Sequence, residues 1–248
     1  MANSVARMRL GLLVCDHVLP ALRDVAGDYP DFFNRLFLEQ PEIEIVEFDL
    51  TAGEFPSDLD QCDAWITTGS RLSVYEDVPW VAKFGELVRC LDRDRRKLVG
   101  VCFGAQMIAH ALGGEVARAP WGWQVGLKHV TIRALKPWMV PAVERFGILH
   151  SNDDQVLVPP DRARVLGSGE SGPVSLFSVD EHFIGFQGHP EFVPAYSAAL
   201  MEARRGTLIP SEVVDAALST LETAPDTPLL SAWIANFIRG AGALGSPE

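Results

Sequence analysis

The sequence has 248 residues, 48% of them hydrophobic and 22% charged, and this apolar content excludes a chain whose main state is disorder. Acidic residues outnumber basic residues by 33 to 21, which gives a formal net charge of −12. Because such a surface repels phosphate backbones and anionic lipids, we expect neither nucleic acid nor a membrane surface as a partner.

The first half of the chain alternates between predicted strands and predicted helices. Compact or alternating apolar runs predict four strands, at 8–15, 43–50, 64–68 and 97–102. Apolar residues at helical spacing predict three helices, at 28–37, 79–96 and 103–112. Alternation of this kind indicates an α/β protein with a mostly parallel sheet that helices cover on both faces.

The second half of the chain has a different pattern. Short β-like runs separated by Gly and Pro occupy much of 115–188, among them 125–132, 174–179 and 183–187. Three later stretches again carry apolar stripes at helical spacing: 195–206, 211–222 and 229–240. Without a repeat or a clear linker, the sequence predicts one domain over 1–248, with a core at about 8–205 and a C-terminal helical extension at about 206–240.

The cysteines and the uncharged segments indicate the cellular compartment of the protein. The longest run without an Asp, Glu, Lys or Arg is 98–114, which is short for a bilayer, and the apolar run 10–15 is short for a signal peptide. The four cysteines lie far apart without a CxxC pair, which is typical of reduced thiols in a cytoplasmic protein. Three of them are interpreted as structural: Cys15, Cys62 and Cys90.

The segment 100–106 has the layout of a nucleophile elbow. A predicted buried strand ends, Cys102 follows, and a predicted helix begins at once. Gly100 and Gly104 avoid clashes at such a tight turn, and the N-terminus of a helix favours a thiolate. The alternative is a small buried cysteine in a glycine-containing turn.

A second candidate segment is Gly-His-Pro-Glu, which directly follows the predicted strand 183–187. A cysteine nucleophile needs a base, and the base needs a third group to orient it. His189 and Glu191 are two residues apart, so their side chains can face the same way in an extended segment. We therefore predict a triad of Cys102, His189 and Glu191. His150 could approach this site, although a structural role is the preferred interpretation for it.

A third candidate segment, 67–70, ends the predicted strand 64–68. A tetrahedral intermediate of acyl transfer needs two N–H donors. The backbone of Phe103 is expected to supply one, and the Gly69–Ser70 loop the other, with an ordinary glycine turn as the alternative. The chain has no histidine pair at zinc-site spacing and no glycine-rich nucleotide motif, so we expect neither a metal nor a cofactor.

Together these segments resemble the class I, triad-type glutamine amidotransferases. The matching pieces are ITTGS, GVCFGAQMIAHALGG and GHPE, and the resemblance covers roughly 10–205. YEDVPWV and WGWQVG are similar to the free-standing branch related to the amidotransferase domain of GMP synthase, which includes γ-glutamyl peptidases. The resemblance implies a flavodoxin-like three-layer α/β/α sandwich with a mostly parallel central sheet, an added β excursion and C-terminal helices.

The resemblance also implies a reaction. Cys102 attacks the γ-carbonyl of a glutamine-like group, and the N–H groups of Gly69 and Phe103 bind the oxyanion. His189 protonates the leaving amine and then activates water, which hydrolyses a γ-glutamyl thioester. Glu191 orients His189 throughout.

The same resemblance implies substrate contacts. Gln106 matches the substrate-contacting glutamine of the family, and Ser70 is expected beside it. Independently of the resemblance, Trp121 and Trp123 follow the predicted elbow helix and are candidates to line the pocket of the leaving group, with core packing as the preferred role for at least one of them. One departure concerns 152–154, where this chain has Asn-Asp-Asp and GMP synthases carry His-Gly-Asp.

We therefore expect an enzyme that hydrolyses a glutamine or γ-glutamyl small molecule. One alternative is a glutaminase subunit that delivers ammonia to a separate synthetase, because the sequence contains no synthetase domain. Another is a cysteine hydrolase on a related sandwich, although those usually place an acid near the elbow and lack the late His-Pro-Glu. The third is a non-catalytic regulatory or scaffold relative, which typically loses the Cys or the His.

Overall fold

The computed structural model describes residues 7–240. These residues contain the strands β1 (Met8–Val14), β2 (Ile43–Asp49), β3 (Ala64–Thr67), β4 (Leu98–Val101), β5 (Glu115–Arg118), β6 (Gln124–Ile132), β7 (Arg145–Asn152), β8 (Asp154–Val158), β9 (Ala163–Gly169), β10 (Gly172–Val179) and β11 (Phe183–Phe186). They also contain the helices α1 (Arg23–Ala26), α2 (Tyr29–Leu36), α3 (Pro79–Arg93), α4 (Phe103–Ala111), α5 (Pro194–Arg204), α6 (Ser211–Thr220) and α7 (Thr227–Arg239).

Nine strands form the main sheet in the order β2-β1-β3-β4-β11-β10-β9-β6-β7. The first five in this order are parallel to one another, and helices connect them where the sequence alternates. Beyond β11 the strands pair antiparallel, because short turns rather than crossover helices join most of them. The predicted α/β class is confirmed, and most of the β excursion extends the main sheet. Only β5 and β8 form a separate ribbon.

Helices cover both faces of the sheet, as the apolar strands predict. Alternate residues of β1 point to opposite faces, so Leu12 and Leu13 enter different cores. Leu12 packs in the core that contains Phe33 of α2 and Trp233 of α7. Leu13 packs in the core that contains Phe84 of α3 and residues of α4. The result is a three-layer arrangement of helices, sheet and helices.

The C-terminal helix α7 is part of the first of these cores. Its residues Leu230, Trp233 and Phe237 are buried there with residues of β1. Lys97 donates from Nζ to the carbonyls of Phe237 and Ile238, at 2.8 and 3.0 Å, and so caps the end of the helix. This shared core supports our proposal that the chain forms one domain.

Two further observations concern the helices. The predicted helix 79–96 ends as α3 at Arg93, because the chain turns at Arg95, where φ is +51°. Within 7–240, the structure contains no helix with the length and apolar character needed to cross a membrane.

The sheet order places three of the candidate segments side by side. β3, β4 and β11 are adjacent and parallel, so their carboxyl ends lie at the same edge. Gly69 follows β3, Cys102 follows β4, and His189 follows β11. This edge is where open α/β sheets bind their ligands.

Candidate active site

Cys102 occupies the turn between β4 and α4 in a strained backbone conformation. Its φ is +49° and its ψ is −102°, values that residues other than glycine rarely adopt. Its N–H donates to the carbonyl of Phe186 at 2.8 Å, and its carbonyl accepts from the N–H of Gln106 at 3.0 Å. Pairing with β11 and the first turn of α4 therefore hold the strained residue in place.

The glycines on either side of Cys102 allow the helix to approach the sheet. A Cβ at Gly100 would lie 2.6 Å from the backbone nitrogen of Ala105, and a Cβ at Gly104 would overlap the side chain of Thr67. Both positions therefore require glycine for reasons of space. The sharp turn expected from the sequence is present.

Phe103 is the first residue of α4, and its backbone N–H has no acceptor within the helix. The positive end of the helix dipole lies at the same point, beside Cys102. The Phe103 ring is fully buried against Trp80 and Phe84, with ring centroids 5.7 and 6.2 Å away. These rings fix the position of the N–H group that the sequence analysis singled out.

His189 and Glu191 are bonded to each other in the interior. His189 Nδ1 lies 2.8 Å from Glu191 Oε1, and the two side chains are 4% and 0% exposed. The backbone N–H of His189 donates to the carbonyl of Leu149 at 2.7 Å, and the imidazole stacks on Phe192 at 3.8 Å. These three contacts hold His189 in place, and its second ring nitrogen, Nε2, is available to Cys102.

The charges around His189 determine its protonation. Burial by itself lowers the pKa of His189, but the negative charges of Glu191 and the Cys102 sulfur outweigh burial and raise this pKa to about 10. The imidazole is therefore a cation at neutral pH, held between a carboxylate and a sulfur that is a stronger nucleophile when ionised. Burial instead raises the pKa of the Cys15 and Cys62 thiols.

The loop after β3 faces the same point. The Thr68 hydroxyl accepts from the N–H of Cys15 at 2.8 Å and donates to the carbonyl of Gly69 at 2.9 Å, which fixes the loop on β1. A Cβ at Gly69 would lie 2.8 Å from His189 Cε1 and 3.7 Å from Cys102 Cβ. A side chain at position 69 would therefore collide with the His189 ring, so glycine allows the imidazole to approach the loop.

Two crevices meet at Cys102. The residues that line only the first crevice, here called the Gln106 crevice, include Gln106, Trp123, Asn152 and Asp154. The His189 crevice has, on its own side, Tyr29, His189, Phe192 and Leu200. Both are lined by Cys102, Ser70, Ser151 and Arg204. Of the seven site residues predicted from the sequence, four line these crevices: Cys102, Ser70, Gln106 and His189. The other three adjoin them: Glu191 is bonded to His189, Gly69 lies beside His189, and Phe103 follows Cys102 at the start of α4.

Within the Gln106 crevice, two polar side chains are held firmly. Gln106 is buried and donates from Nε2 to the carbonyl of Asp154 at 2.7 Å. Asn152 donates from Nδ2 to the carbonyl of Gln187 at 2.8 Å, and the same atom lies 3.9 Å from the Cys102 sulfur. From the sequence, Asn152 is notable only as a departure from GMP synthases. Its position at the end of β7 is the signal that could have identified it as a residue of the site.

The two tryptophan candidates, Trp121 and Trp123, lie in different places. Trp123 lines the Gln106 crevice, whereas Trp121 is 44% exposed and lies against Gly172 instead. Arg204 and Tyr29 also line the site but were not predicted from the sequence. They belong to helices that pack over the sheet edge. Such long-range packing has no local sequence signal.

His150 lies behind the site rather than in it. A Cβ at Gly188 would meet His150 Nε2 at 2.9 Å, so the ring packs against the backbone that leads to His189. The ring is fully buried, and neither nitrogen has a hydrogen-bond partner. Burial, with the charge on His189, lowers the pKa of His150 to about 3. Within 7–240, no group of His, Cys, Asp or Glu side chains is arranged to hold a metal ion.

Comparisons with known proteins place the chain in a family. The chain is 33% identical over 246 residues to γ-glutamyl peptidase 3 of Arabidopsis thaliana, covering 94% of this chain and 97% of that protein. It is 27% identical to a glutamine-hydrolysing GMP synthase subunit of Saccharolobus solfataricus, covering 66% and 86% of the two chains. The crystal structure of a glutamine amidotransferase from Thermotoga maritima superposes with a TM-score of 0.76 at 20% identity, covering 94% of this chain and 98% of that one. The family description "Glutamine amidotransferase class-I" matches residues 43–204, and the chain therefore belongs to the class I glutamine amidotransferase family.

Proposed function

We propose that this protein is a γ-glutamyl peptidase, which hydrolyses the γ-glutamyl amide bond of small peptides through a thioester on Cys102. The observation that carries the proposal is the buried contact chain from Cys102 to His189 and from His189 to Glu191. A strained cysteine at a helix N-terminus beside a charged, oriented imidazole is the arrangement that nucleophilic acyl transfer needs.

In the first step, the Cys102 thiolate forms a bond to the γ-carbonyl carbon, and the electron pair of the C=O bond moves to oxygen. The N–H groups of Gly69 and Phe103 stabilise this oxyanion. When the carbonyl reforms, the C–N bond breaks, and the His189 imidazolium gives its proton to the leaving nitrogen. The products of this step are a γ-glutamyl thioester and a free amine.

In the second step, neutral His189 takes a proton from water as the water oxygen attacks the thioester carbon. The C–S bond then breaks, glutamate leaves, and Cys102 returns to the thiolate with His189 protonated. Glu191 transfers no proton in either step; it fixes the ring through Nδ1 and stabilises the imidazolium. Gln106 and Ser70, beside the nucleophile, are proposed to contact the glutamyl group.

The choice of peptides over glutamine rests on the relatives and on the His189 crevice. Along with γ-glutamyl peptidase 3, γ-glutamyl peptidase 2 of Arabidopsis thaliana is 30% identical over 226 residues, covering 88% of this chain and 91% of that protein. The narrow His189 crevice opens beside the proposed acid, and we propose that the amine of a peptide leaves on this side. The similarity to a GMP synthase subunit favours a second candidate, a glutaminase that supplies ammonia to a separate synthetase.

A kinetic comparison tests the proposal. We expect the isolated protein to hydrolyse γ-glutamyl dipeptides with a higher kcat/KM than glutamine, and Cys102→Ala to abolish both activities. Mass spectrometry of the quenched reaction should find the γ-glutamyl adduct on the peptide that contains Cys102. Cys90→Ala is the matched control, because Cys90 is a half-buried cysteine of α3 remote from the crevices, and it should retain full activity.

Two results would contradict the proposal. Persistent hydrolysis by Cys102→Ala would remove the thioester mechanism. If glutamine were the preferred substrate, and then only after addition of a synthetase from the same cell, the glutaminase candidate would replace the peptidase.

A further inference from the structure

Two arginines, Arg71 and Arg204, line the crevices at Cys102, and they differ in whether the protein supplies a carboxylate partner. Arg71 donates to Asp16 from Nε at 2.8 Å and from Nη2 at 2.7 Å, and its backbone N–H donates to the same carboxylate at 2.9 Å. This bidentate pair uses the geometry that a guanidinium prefers for a carboxylate. Arg71 is therefore already satisfied by the protein itself.

Arg204, at the end of α5, has only neutral contacts. Its Nη1 donates to the hydroxyl of Ser151 at 2.9 Å, and its guanidinium lies 5.8 Å from the ring centroid of Trp123. Within 7–240, no carboxylate lies within ion-pair distance of Arg204, although the formal net charge of the chain is −12. Two neutral groups thus contact this partly exposed cation, and most of its five N–H donors have no protein partner among residues 7–240.

The position of Arg204 relates this cation to the leaving group. A general acid must lie within hydrogen-bond reach of the atom that it protonates, so the leaving nitrogen lies next to His189. The residue attached to that nitrogen then extends into the His189 crevice, which Arg204 lines as a second cation beside the acid itself; Arg204 also borders the Gln106 crevice. Tyr29, Phe192 and Leu200, which are buried, form the apolar floor of this narrow crevice. Ammonia, the leaving group of glutamine, has neither a side chain nor a carboxylate to place in this crevice.

We propose that Arg204 is a specificity-determining residue that binds the free C-terminal carboxylate of the amino acid released from a γ-glutamyl dipeptide. This inference deepens the proposed function and rests on it. It names the substrate class as γ-glutamyl amino acids with a free carboxylate, in preference to C-terminal amides and to glutamine.

A matched pair of substrates tests this inference: γ-glutamyl-leucine and its C-terminal amide, which differ only in the carboxylate. The wild-type kcat/KM should favour the free acid by about 10- to 100-fold, the range expected for hydrogen bonds to a charged group. Arg204→Met should lower the rate with the free acid to that with the amide and leave the amide rate within about threefold. Arg204→Lys should recover part of the preference, because it keeps the charge but loses the fork.

Arg205→Met is the control variant. Arg205 is the next residue, but it is bonded to Glu202 and Asp215 and lines neither crevice. It should keep the full preference for the free acid. An equal loss on the acid, the amide and glutamine after Arg204→Met would overturn the inference, because Arg204 would then act on the glutamyl group or on the fold. No change on the free acid would overturn it as well.

A binding measurement separates this inference from the proposed reaction. Calorimetry with the Cys102→Ala protein measures affinity without turnover. Adding Arg204→Met to that protein should weaken binding of γ-glutamyl-leucine about 10-fold or more and leave binding of the amide unchanged. If turnover failed and this difference in binding persisted, the reaction would be wrong and the role of Arg204 would stand. Equal binding of acid and amide by the Cys102→Ala protein would remove that role.

Discussion

At the scale of single residues, the charge on His189 depends on its neighbours. The ring is buried, which alone would keep it neutral, and it is the carboxylate of Glu191 and the sulfur of Cys102 that keep it protonated. The two partners act differently in the proposed reaction. Cys102 loses its negative charge when it forms the thioester, whereas Glu191 keeps its charge throughout.

This difference predicts the effect of Glu191→Gln. Removal of the carboxylate removes a charge that raises the pKa of His189, so the imidazolium should lose its proton at lower pH. We expect the alkaline limb of the profile of kcat/KM against pH to move to lower pH, with turnover reduced by up to roughly 10⁴-fold, as for orienting carboxylates in other triads.

The measurement is a pH profile with a γ-glutamyl dipeptide, together with the rate at which iodoacetamide alkylates Cys102. Glu202→Gln is the control, because Glu202 is an exposed acid of α5 that pairs with Arg205. An unchanged alkaline limb in Glu191→Gln would show that Glu191 does not control the charge of His189.

The sequence predicted some site residues and missed others for a physical reason. Cys102, Gly69 and His189 follow strands at one edge of the sheet, and strand ends can be identified from local apolar runs. Arg204 and Tyr29 reach the same place from helices α5 and α2. Their positions depend on how those helices pack over the sheet, which periodicity does not specify.

At the scale of elements, the buried strands and amphipathic helices of the first half match their predictions closely. β1, β3 and β4 are short apolar runs, and α3 carries a clear apolar stripe, so burial determines both kinds of element. β2, at the edge of the sheet, is only partly buried and was predicted from its alternation. The strands of the β excursion were harder to place. β7 and β8 are separated only by Asp153, and whether a strand joins the main sheet or a ribbon depends on distant partners.

One interaction between elements can be tested directly. Lys97 precedes β4 and donates to two carbonyls at the end of α7, so it joins the C-terminal helix to the sheet. Lys97→Met keeps the aliphatic stem and removes the donors and the charge. We expect it to lower the free energy of unfolding by about 1–2 kcal/mol, from the loss of charged hydrogen bonds at a helix C-terminus.

Urea unfolding at neutral pH measures this change. Arg89→Met, on the surface of α3, is the control, and it should change the free energy of unfolding by less than about 0.5 kcal/mol. A loss in Lys97→Met no larger than that of the control would show that the cap does not stabilise α7.

At the scale of the whole molecule, two neighbouring histidines give stability opposite dependences on pH. His150 has its pKa lowered to about 3 in the folded protein, so below its ordinary value of 6.5 the unfolded chain binds one more proton and stability falls as pH falls. His189 has its pKa raised to about 10, so stability is fully present below 6.5 and is lost as pH rises toward 10. These two groups favour a maximum near neutral pH.

His150→Leu tests the acidic side of this dependence. One proton corresponds to about 1.4 kcal/mol per pH unit, so the free energy of unfolding of His150→Leu should fall less steeply between pH 6 and 4, by about that amount per unit. Urea unfolding at several pH values gives both slopes. His110→Ala, which changes an exposed histidine, should keep the wild-type slope. Parallel slopes for His150→Leu and wild type would mean that His150 takes up a proton in the folded protein.

The order of strands in the sheet also has a consequence for how the protein reaches its native state. β4 and β11 are neighbours, yet they are separated in sequence by the whole β excursion. Closing so long a loop costs chain entropy before the contact between the two strands repays it, so β11, already paired with β10 across a short turn, is expected to dock on β4 late in folding. The nucleophile turn after β4 can form before that event, but His189 reaches Cys102 only with it. A refolding chain should therefore regain helix and compactness first and hydrolytic activity last. Until the sheet is complete, the Cys102 thiol has no histidine partner.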